Sequence, residues 1–331
     1  MENKVSILLP VYGVEKYIEQ CAISLMEQTY GNIEYIFVND CTRDNSINIL
    51  REVLNRYPQK KCQVQIITHE RNRGLAAARN TGVRHAKGEY IMHVDSDDYL
   101  DSPDVVSKVM DEMICSNADI ALFDMKYIFP NSVKYMSQKF TCDKNEYVQK
   151  LIQRDFPLCV WGAVYKRSLY VENNIWAVKD LNFAEDYAVK PRLAFMANNI
   201  IHVPNVYYCY RQDNINSYTK NYNEKTLIDI DKSLDVLIAF FSKQKAWSNL
   251  MQKSIDIASI KIKADKLLYW AASNCEKNEF YRIKHQKEIC NKTSAELTIQ
   301  QKCALWCANK NMPSLLRCIV KCGIFVKNVF R

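Results

Sequence analysis

The stretch that decides how this chain folds runs from residue 90 to residue 98: Tyr90-Ile91-Met92-His93-Val94-Asp95-Ser96-Asp97-Asp98. Its first five residues predict a buried strand, and three carboxylates follow at the strand's end. Crowded carboxylates repel one another, whereas Mg²⁺-type sites often combine one or two carboxylates with substrate phosphates. The pattern therefore favours a metal–diphosphate site. An acidic turn before the helix that begins near Asp101-Ser102-Pro103 explains it about equally well.

The first 125 residues alternate between predicted strands and predicted helices. Apolar runs predict strands at residues 5–9, 33–38, 64–67, 90–94 and 120–123. Between these runs, apolar residues recur at the three- and four-residue spacing of an amphipathic helix. Strands that alternate with such helices predict an α/β fold with a mostly parallel sheet and right-handed crossovers. After residue 223 the pattern is helical only.

The ends of the predicted strands supply polar groups. Pro10, Val11 and Tyr12 end the first strand, Asp40 ends the second, and the acidic tetrad ends the fourth. In open α/β sheets, ligands bind outside the carboxyl ends of the strands, so we expect these groups at one edge. Asp40 could accept a hydrogen bond from a ring N–H such as that of uracil, or it could cap the next helix. Taken alone, its position favours the cap.

Four motifs in this order resemble those of the family 2 glycosyltransferases. They are Pro10-Val11-Tyr12, Asn39-Asp40-Cys41-Thr42-Arg43-Asp44-Asn45-Ser46, Asn72-Arg73-Gly74-Leu75-Ala76-Ala77-Ala78-Arg79-Asn80-Thr81-Gly82 and Asp95-Ser96-Asp97-Asp98. The resemblance covers roughly residues 4–220. It implies the GT-A fold, which is a mostly parallel Rossmann-like nucleotide-binding sheet flanked by helices. It also implies an inverting enzyme that uses a nucleotide-diphosphate sugar, of the bacterial surface-polysaccharide type.

The resemblance implies a role for each matching residue. The residues expected to contact the nucleotide sugar are Pro10, Val11, Tyr12, Glu15, Asp40, Asn72, Arg79, Asp95 and Ser96. Within this set, Asp40 would bind a uracil-type base. Asp97, together with Asp95, would hold Mn²⁺ or Mg²⁺ against the diphosphate. Arg79 could instead only support the acidic tetrad, and both interpretations stay open.

Two downstream segments resemble the acceptor side of the family. Trp161 begins one segment, and Ala184-Glu185-Asp186-Tyr187 matches the family's Glu-Asp motif. The resemblance implies that Trp161 and Glu185 contact a glycan or lipid-linked saccharide acceptor and that Asp186 is the general base. A carboxylate within hydrogen-bond reach of a hydroxyl can take its proton. The helix dipole alone would also favour an acid at this position, in the first turn of a helix.

The chain departs from the family pattern at two positions. The family's second strand usually ends Asp-Gly-Ser, whereas this chain has Asp40-Cys41-Thr42. A positive φ angle at that position would strain Cys41, because only glycine adopts it freely. Gly162 stands where the family often has Asn after the Trp, which leaves the acceptor contacts open.

Other classes of protein fit the sequence less well. No Gly-x-Gly-x-x-Gly follows the first strand, which disfavours an NAD-binding enzyme. A nucleotidyltransferase-like enzyme would usually have a Gly-rich, basic loop there. A non-catalytic glycosyltransferase-like partner subunit would keep the fold, but the intact Asp95, Asp97 and Asp186 argue against it. Nucleic-acid binding would need a basic, aromatic-rich face, and the basic excess is concentrated near the C-terminus.

Composition and charge suggest a setting. The 331 residues carry a net charge of +8 and 13 cysteines without paired spacing, which predicts reduced thiols in a cytoplasmic compartment. We expect a GT-A domain at 1–220, with a nucleotide-sugar-binding half (1–125) and an acceptor-binding half (126–220), and a helical region at 221–331. No acidic residue follows Glu296, so the tail from Leu315 to Arg331 predicts either a basic amphipathic helix, peripheral on the inner face of the cell membrane, or a helix packed on the protein.

Overall fold

The computed structural model describes residues 3–214, 223–244, 249–273, 276–285 and 297–322. The chain forms two compact units. The first contains Met1–Leu151 and Phe156–Asn221, and the second contains Ile152–Asp155 and Tyr222–Arg331. The first unit holds the sheet, and the second is helical. The predicted roles of the two halves of the sheet domain stay a prediction.

A nine-stranded sheet forms the centre of the first unit. Its strands are β1 Val5–Val11, β2 Ile33–Asn39, β3 Val64–Thr68, β4 Tyr90–His93, β5 Tyr99–Leu100, β6 Ile120–Phe129, β7 Ser132–Met136, β8 Ala163–Lys166 and β9 Ile200–Arg211. Their order is β3-β2-β1-β4-β8-β6-β9-β5, with β7 paired to β6. Strands β1 to β4 pair in parallel, and β8 joins β4 to β6 by antiparallel pairing on both sides.

Helices connect the strands and follow the sheet. Those in the first part of the chain are α1 Ile18–Met26, α2 Ser46–Arg56, α3 Leu75–His85, α4 Val105–Cys115, α5 Lys144–Ile152, α6 Arg167–Val171 and α7 Glu185–Met196, with a 3₁₀ turn at Pro58–Gln63. Those in the second part are α8 Glu224–Phe241, α9 Asn249–Ala272, α10 Lys277–Lys284, α11 Ile299–Asn309 and α12 Pro313–Lys321. The predicted α/β class and parallel strand–helix alternation are confirmed.

The strands predicted from apolar runs are the ones that the sheet buries. β1 has six buried residues of seven, because a parallel strand covered on both faces needs an almost continuous apolar run. The sequence did not predict β5 and β8, which have two and four residues. Such short strands show no periodicity of their own, and their pairing depends on the longer strands beside them.

The C-terminal helix α12 packs within the second unit. Leu316 and Val320 are buried in a core that α9 and α11 also line. The guanidinium carbon of Arg317 lies 4.1 Å from the ring centre of Trp270. The described part of the predicted tail therefore uses its apolar side for packing, and residues 323–331 lie outside the described residues. None of the described helices is long and apolar enough to cross a bilayer.

Candidate active site

Side-chain hydrogen bonds join the two loops that follow β1 and β2. The Gly13 N–H donates to Thr42 Oγ1 at 2.9 Å, and the Glu15 N–H donates to Asp44 Oδ2 at 2.9 Å. In return, the Asn45 N–H donates to the Glu15 carboxylate at 3.0 Å. The Glu15 carboxylate, predicted to lie at the nucleotide sugar, therefore holds the start of α2. The result is one stitched rim at the carboxyl ends of β1 and β2.

The other predicted donor residues of this edge differ in exposure. The Ser96 hydroxyl donates to the Pro10 carbonyl oxygen at 2.6 Å, so the structure brings these two together. Val11 is fully buried, whereas the Tyr12 side chain is 51% exposed. Asn72 is exposed on the loop that precedes α3. Of these residues, Tyr12 and Asn72 present accessible side chains to a ligand.

Asp40 holds the loop that leads into α3. Its carboxylate is buried and accepts hydrogen bonds from the N–H groups of Arg73 at 2.8 Å and Gly74 at 2.7 Å. His69 Nδ1 lies 2.7 Å from the same carboxylate. These contacts explain why an acid ends β2 without any ligand. A base N–H would have to add to them, so the assignment of Asp40 to a uracil-type base stays a prediction.

The backbone is left-handed at three non-canonical positions around the site. Cys41 has a φ angle of 58°, so the replacement of the family's glycine does place a side chain in a strained conformation. Gly162 has a φ angle of 69°, which glycine adopts freely. Ala184, the residue before Glu185, has a φ angle of 58°. Such conformations cost on the order of 1–3 kcal/mol and concentrate at functional sites.

The last acid of the tetrad is structural. Asp98 is almost fully buried and accepts hydrogen bonds from the Tyr208 hydroxyl at 2.8 Å and the Arg211 N–H at 2.8 Å. Burial, and then the charges of Asp97 and Asp95, raise the pKa of Asp98 well above its usual range. The Tyr208 oxygen also accepts the Asp95 N–H at 3.0 Å. Strand β9 therefore holds the tetrad in place from the neighbouring side.

Trp161 supports this arrangement from below. It is 7% exposed, and its ring stacks on Tyr208 with 4.6 Å between centres. Tyr210 packs against the same indole at 4.9 Å. The predicted acceptor contact of Trp161 stays a prediction, and the contact that the structure gives it is with the tyrosine that orders the tetrad.

Asp97 and Asp95 are the acids of the tetrad with accessible oxygen atoms. Asp97 accepts a hydrogen bond from the Asn214 side-chain amide at 2.7 Å. Burial, and then the charge of Asp95, raise the pKa of Asp97. Among the described residues, no group of three or more His, Cys, Asp or Glu side chains is placed to hold a metal ion. Two mutually repelling carboxylates nevertheless fit a hard divalent cation that takes its remaining ligands from phosphates and water.

Arg79 joins the tetrad to the predicted base. Its Nη2 donates to Asp95 at 2.9 Å, and its Nη1 donates to Glu185 at 2.9 Å and to Asp186. The Arg79 side chain is only 5% exposed. Residues about a hundred positions apart in the chain thus meet on one guanidinium, and both interpretations of Arg79 place it here. The observed contacts are those of a support for the acids.

Burial controls the ionisation of the paired acids on α7. The pKa of Glu185 is raised well above its usual range by burial and then by the charge of Asp186. Burial also raises the pKa of Asp186, while Arg79 partly opposes this. The second Asp186 oxygen accepts the Val160 N–H at 3.2 Å. A carboxylate with a raised pKa is better matched to proton removal near neutral pH than an ordinary one.

His93 is a residue of the site that the sequence did not reveal. It is buried at the end of β4, and its Nε2 lies 3.0 Å from the Tyr170 hydroxyl. Burial, followed by the charge of Arg79, lowers its pKa to about 3, so the ring is neutral at physiological pH. His93 and Tyr170 line a small cavity together with Arg79, Glu185 and Asp186. The available signal was a polar residue within an apolar strand, two positions before the tetrad.

Comparison with known proteins identifies the family. The model for glycosyl transferase family 2 matches residues 6–173. The chain belongs to this family. EpsJ of Bacillus subtilis (strain 168), named an uncharacterized glycosyltransferase, is 31% identical over 246 residues, which cover 72% of this chain and 70% of EpsJ. The chain is therefore a glycosyltransferase, which decides against the nucleotidyltransferase-like alternative.

Solved structures confirm the GT-A fold. The crystal structure of S. aureus TarS 1–349 in complex with UDP-GlcNAc matches with a TM-score of 0.67 and 17% identity, over 97% of this chain and 91% of that one. The mannosyltransferase PcManGT from Pyrobaculum calidifontis, in complex with GDP-Man and Mn²⁺, matches with a TM-score of 0.53 and 15% identity, over 99% and 89% of the two chains. At these identities the likeness concerns the fold.

The first prediction tests the buried guanidinium. Replacing Arg79 by Gln leaves three acids without their shared cation, and loss of one partner of a buried ion pair costs about 3–5 kcal/mol. In R79Q the folded-state pKa values of Glu185 and Asp186 rise further above their unfolded values. The folded state then binds more protons, so the loss of stability grows as pH rises above the unfolded values and shrinks at lower pH. Urea denaturation at pH 5.5 and pH 8 measures this.

Arg56→Gln is the matched control for R79Q. Arg56 pairs with Glu19 at 2.8 Å, but the two side chains are 51% and 58% exposed. Loss of such a surface pair costs at most about 1 kcal/mol and should depend little on pH. Equal destabilisation of the two variants would contradict the buried cluster.

Proposed function

We propose that this glycosyltransferase moves a sugar from a UDP-sugar to a hydroxyl of a glycan or lipid-linked saccharide, with inversion, in the biosynthesis of a surface polysaccharide. The carrying observation is the Arg79 guanidinium, which places Asp186 beside the acidic end of β4. An acceptor hydroxyl at Asp186 would therefore lie next to the site proposed for the diphosphate. The bacterial relatives, which carry the name glycosyltransferase, support the reaction class.

The donor side of the proposal rests on the edge formed by β1, β2 and β4. Tyr12 and Asn72 offer exposed side chains there, and Ser96 is held against Pro10. The uridine nucleotide named with the TarS structure supports a UDP-linked donor. Asp97, with Asp95, would hold Mn²⁺ or Mg²⁺, and the manganese named with PcManGT supports this cation class. When bound, such a cation neutralises charge that develops on the leaving diphosphate.

The acceptor side of the proposal rests on α7. Asp186 would take the proton of the attacking hydroxyl, and its contact with Arg79 fixes the direction in which the carboxylate points. Attack from the face opposite the diphosphate inverts the anomeric carbon in one displacement. Trp161 and Glu185 would act on the acceptor through the elements they stabilise, since both are mostly buried. We place this activity on the cytoplasmic side of the cell membrane.

The second prediction concerns the proposed base. Asp186→Asn removes the proton acceptor but keeps the size of the side chain, so turnover should fall by about 10²–10⁴-fold. The dissociation constant for UDP should change little, because a base acts on the acceptor. UDP release from a panel of nucleotide sugars, with cell-surface glycan fragments as acceptors, measures turnover. Asp111→Asn, on the exposed face of α4, is the control. Near wild-type turnover in D186N would remove Asp186 from the role.

The third prediction concerns the cation. Asp97→Asn should weaken UDP binding in the presence of Mn²⁺ and have little effect without it, because only the bridged complex uses this carboxylate. Isothermal titration calorimetry with UDP, with and without Mn²⁺, measures both conditions. Asp101→Asn is the matched control, since Asp101 lies just past the tetrad and pairs with Lys126 at 2.6 Å. Equal UDP affinity of the wild-type protein with and without Mn²⁺ would remove the metal from the proposal.

The fourth prediction concerns peripheral membrane contact. Because Leu316 and Val320 are packed in the second unit, we assign this contact to residues 323–331, with Lys327 and Arg331 as bases. A base near an anionic surface contributes roughly 1 kcal/mol, so binding should be weak and sensitive to salt. Sedimentation with anionic liposomes compares the full chain with a chain ending at Cys322. Unchanged lipid binding after truncation would contradict the assignment, and a truncated chain that still unfolds cooperatively shows that the core is intact.

A further inference from the structure

The acids around Arg79 outnumber the cations. Asp95, Glu185 and Asp186 all contact its guanidinium, and their side chains are 22%, 8% and 16% exposed. Lys190 also lies in the field of Asp186, although its Nζ donates to the Pro157 carbonyl oxygen at 2.9 Å. Even with Lys190 counted as a full cation, three carboxylates face two positive charges. A buried excess negative charge is costly, and the usual remedy is that one acid keeps its proton.

The neighbouring groups do not remove this excess. His93 is neutral, because burial and the charge of Arg79 lower its pKa to about 3. Tyr170 on α6 and Cys159 before β8 remain protonated at neutral pH, since burial raises the pKa of each group. Burial lowers the pKa of Lys190, which weakens rather than strengthens its contribution as a cation. The extra negative charge therefore stays with the acids themselves.

The contacts distinguish between the two acids on α7. Glu185 is the least exposed of the three carboxylates on Arg79. Asp186 receives a second hydrogen bond, from the Val160 N–H, which stabilises its ionised form. Asp95 is the most exposed of the three and can be solvated. Glu185 is thus the acid with the most to gain from holding a proton.

We propose that Glu185 and Asp186 hold one proton between them at neutral pH and that it resides on Glu185. Glu185 is then a neutral positioning residue, and Asp186 is the ionised member of the pair. The single charge of Arg79 is shared between Asp95 on the tetrad side and Asp186 on the α7 side. This inference rests on the proposed function only where it treats Asp186 as the base; the location of the proton is a property of the fold.

The location of the proton can be measured without any activity. Protein labelled with ¹³C at the glutamate side-chain carboxyls is compared with unlabelled protein by infrared spectroscopy at pH 7. We expect one carbonyl band of a protonated carboxylic acid to shift with the label and to disappear in Glu185→Gln. Labelling of glutamate alone is needed because burial also raises the pKa of Asp98. No label-sensitive protonated band in the wild-type protein would overturn the proposal, whether or not the variant folds.

The pH dependence of turnover tests the consequence for the base. If Glu185 is already neutral, Glu185→Gln should leave the acid limb of the turnover profile in place while Asp186→Asn abolishes turnover. If Glu185 is ionised, its replacement removes a negative charge beside Asp186, and the limb should move to lower pH by about 1 unit or more. Such a shift would overturn the proposal. Absence of transfer by the wild-type protein would count against the proposed function, while the infrared result would still decide where the proton lies.

Discussion

The buried guanidinium of Arg79 is the interaction on which the arrangement of the site depends. It lies on α3, and it binds an acid that follows β4 and two acids that begin α7. These elements bring no cation of their own into hydrogen-bond contact with the acids. Without Arg79, Asp95 and Asp186 would repel one another, and nothing in their own helices or strands would hold them together. The approach of α7 to the end of β4 is therefore an electrostatic consequence of one residue on a third element.

Other contacts limit how the acidic end of β4 can move. Tyr208 on β9 accepts the Asp95 N–H and donates to Asp98, and Trp161 stacks on its ring. On the far side, Ser96 donates to the Pro10 carbonyl oxygen at the end of β1. Asp97 thus projects from a backbone fixed on both sides. Catalytic groups need this kind of pre-organisation, because a misplacement of about 1 Å can cost about 10²-fold in rate.

Much of the fold could be predicted because the buried strands are apolar and regular. The strands β1 to β4, their helices and the meeting of their ends follow from periodicity and from the geometry of parallel sheets. The acids Asp95, Asp97 and Asp186 were found as motifs, but motif matching could not show that Arg79 binds all three sides of the cluster. That contact depends on tertiary packing between positions 79 and 186, which no local pattern encodes.

The remaining misses have a common physical cause. Asp40, Asp98 and Trp161 carry side chains typical of ligand sites, yet each is buried and bonded to the protein. His93 was hidden in an apolar strand for the opposite reason, since a buried neutral imidazole satisfies the same pattern as an apolar residue. Sequence distinguishes residue types, whereas function here depends on which polar groups remain accessible after folding.

The most direct test of the account is a crystal structure of the protein with UDP and Mn²⁺. The account predicts that the Arg79 guanidinium stays buried, within hydrogen-bond distance of Asp95 and Asp186 at the same time, while the nucleotide lies along the edge of β1, β2 and β4. A guanidinium turned away from Asp186 to contact the diphosphate would contradict it, because the tetrad and the base would then have no shared cation.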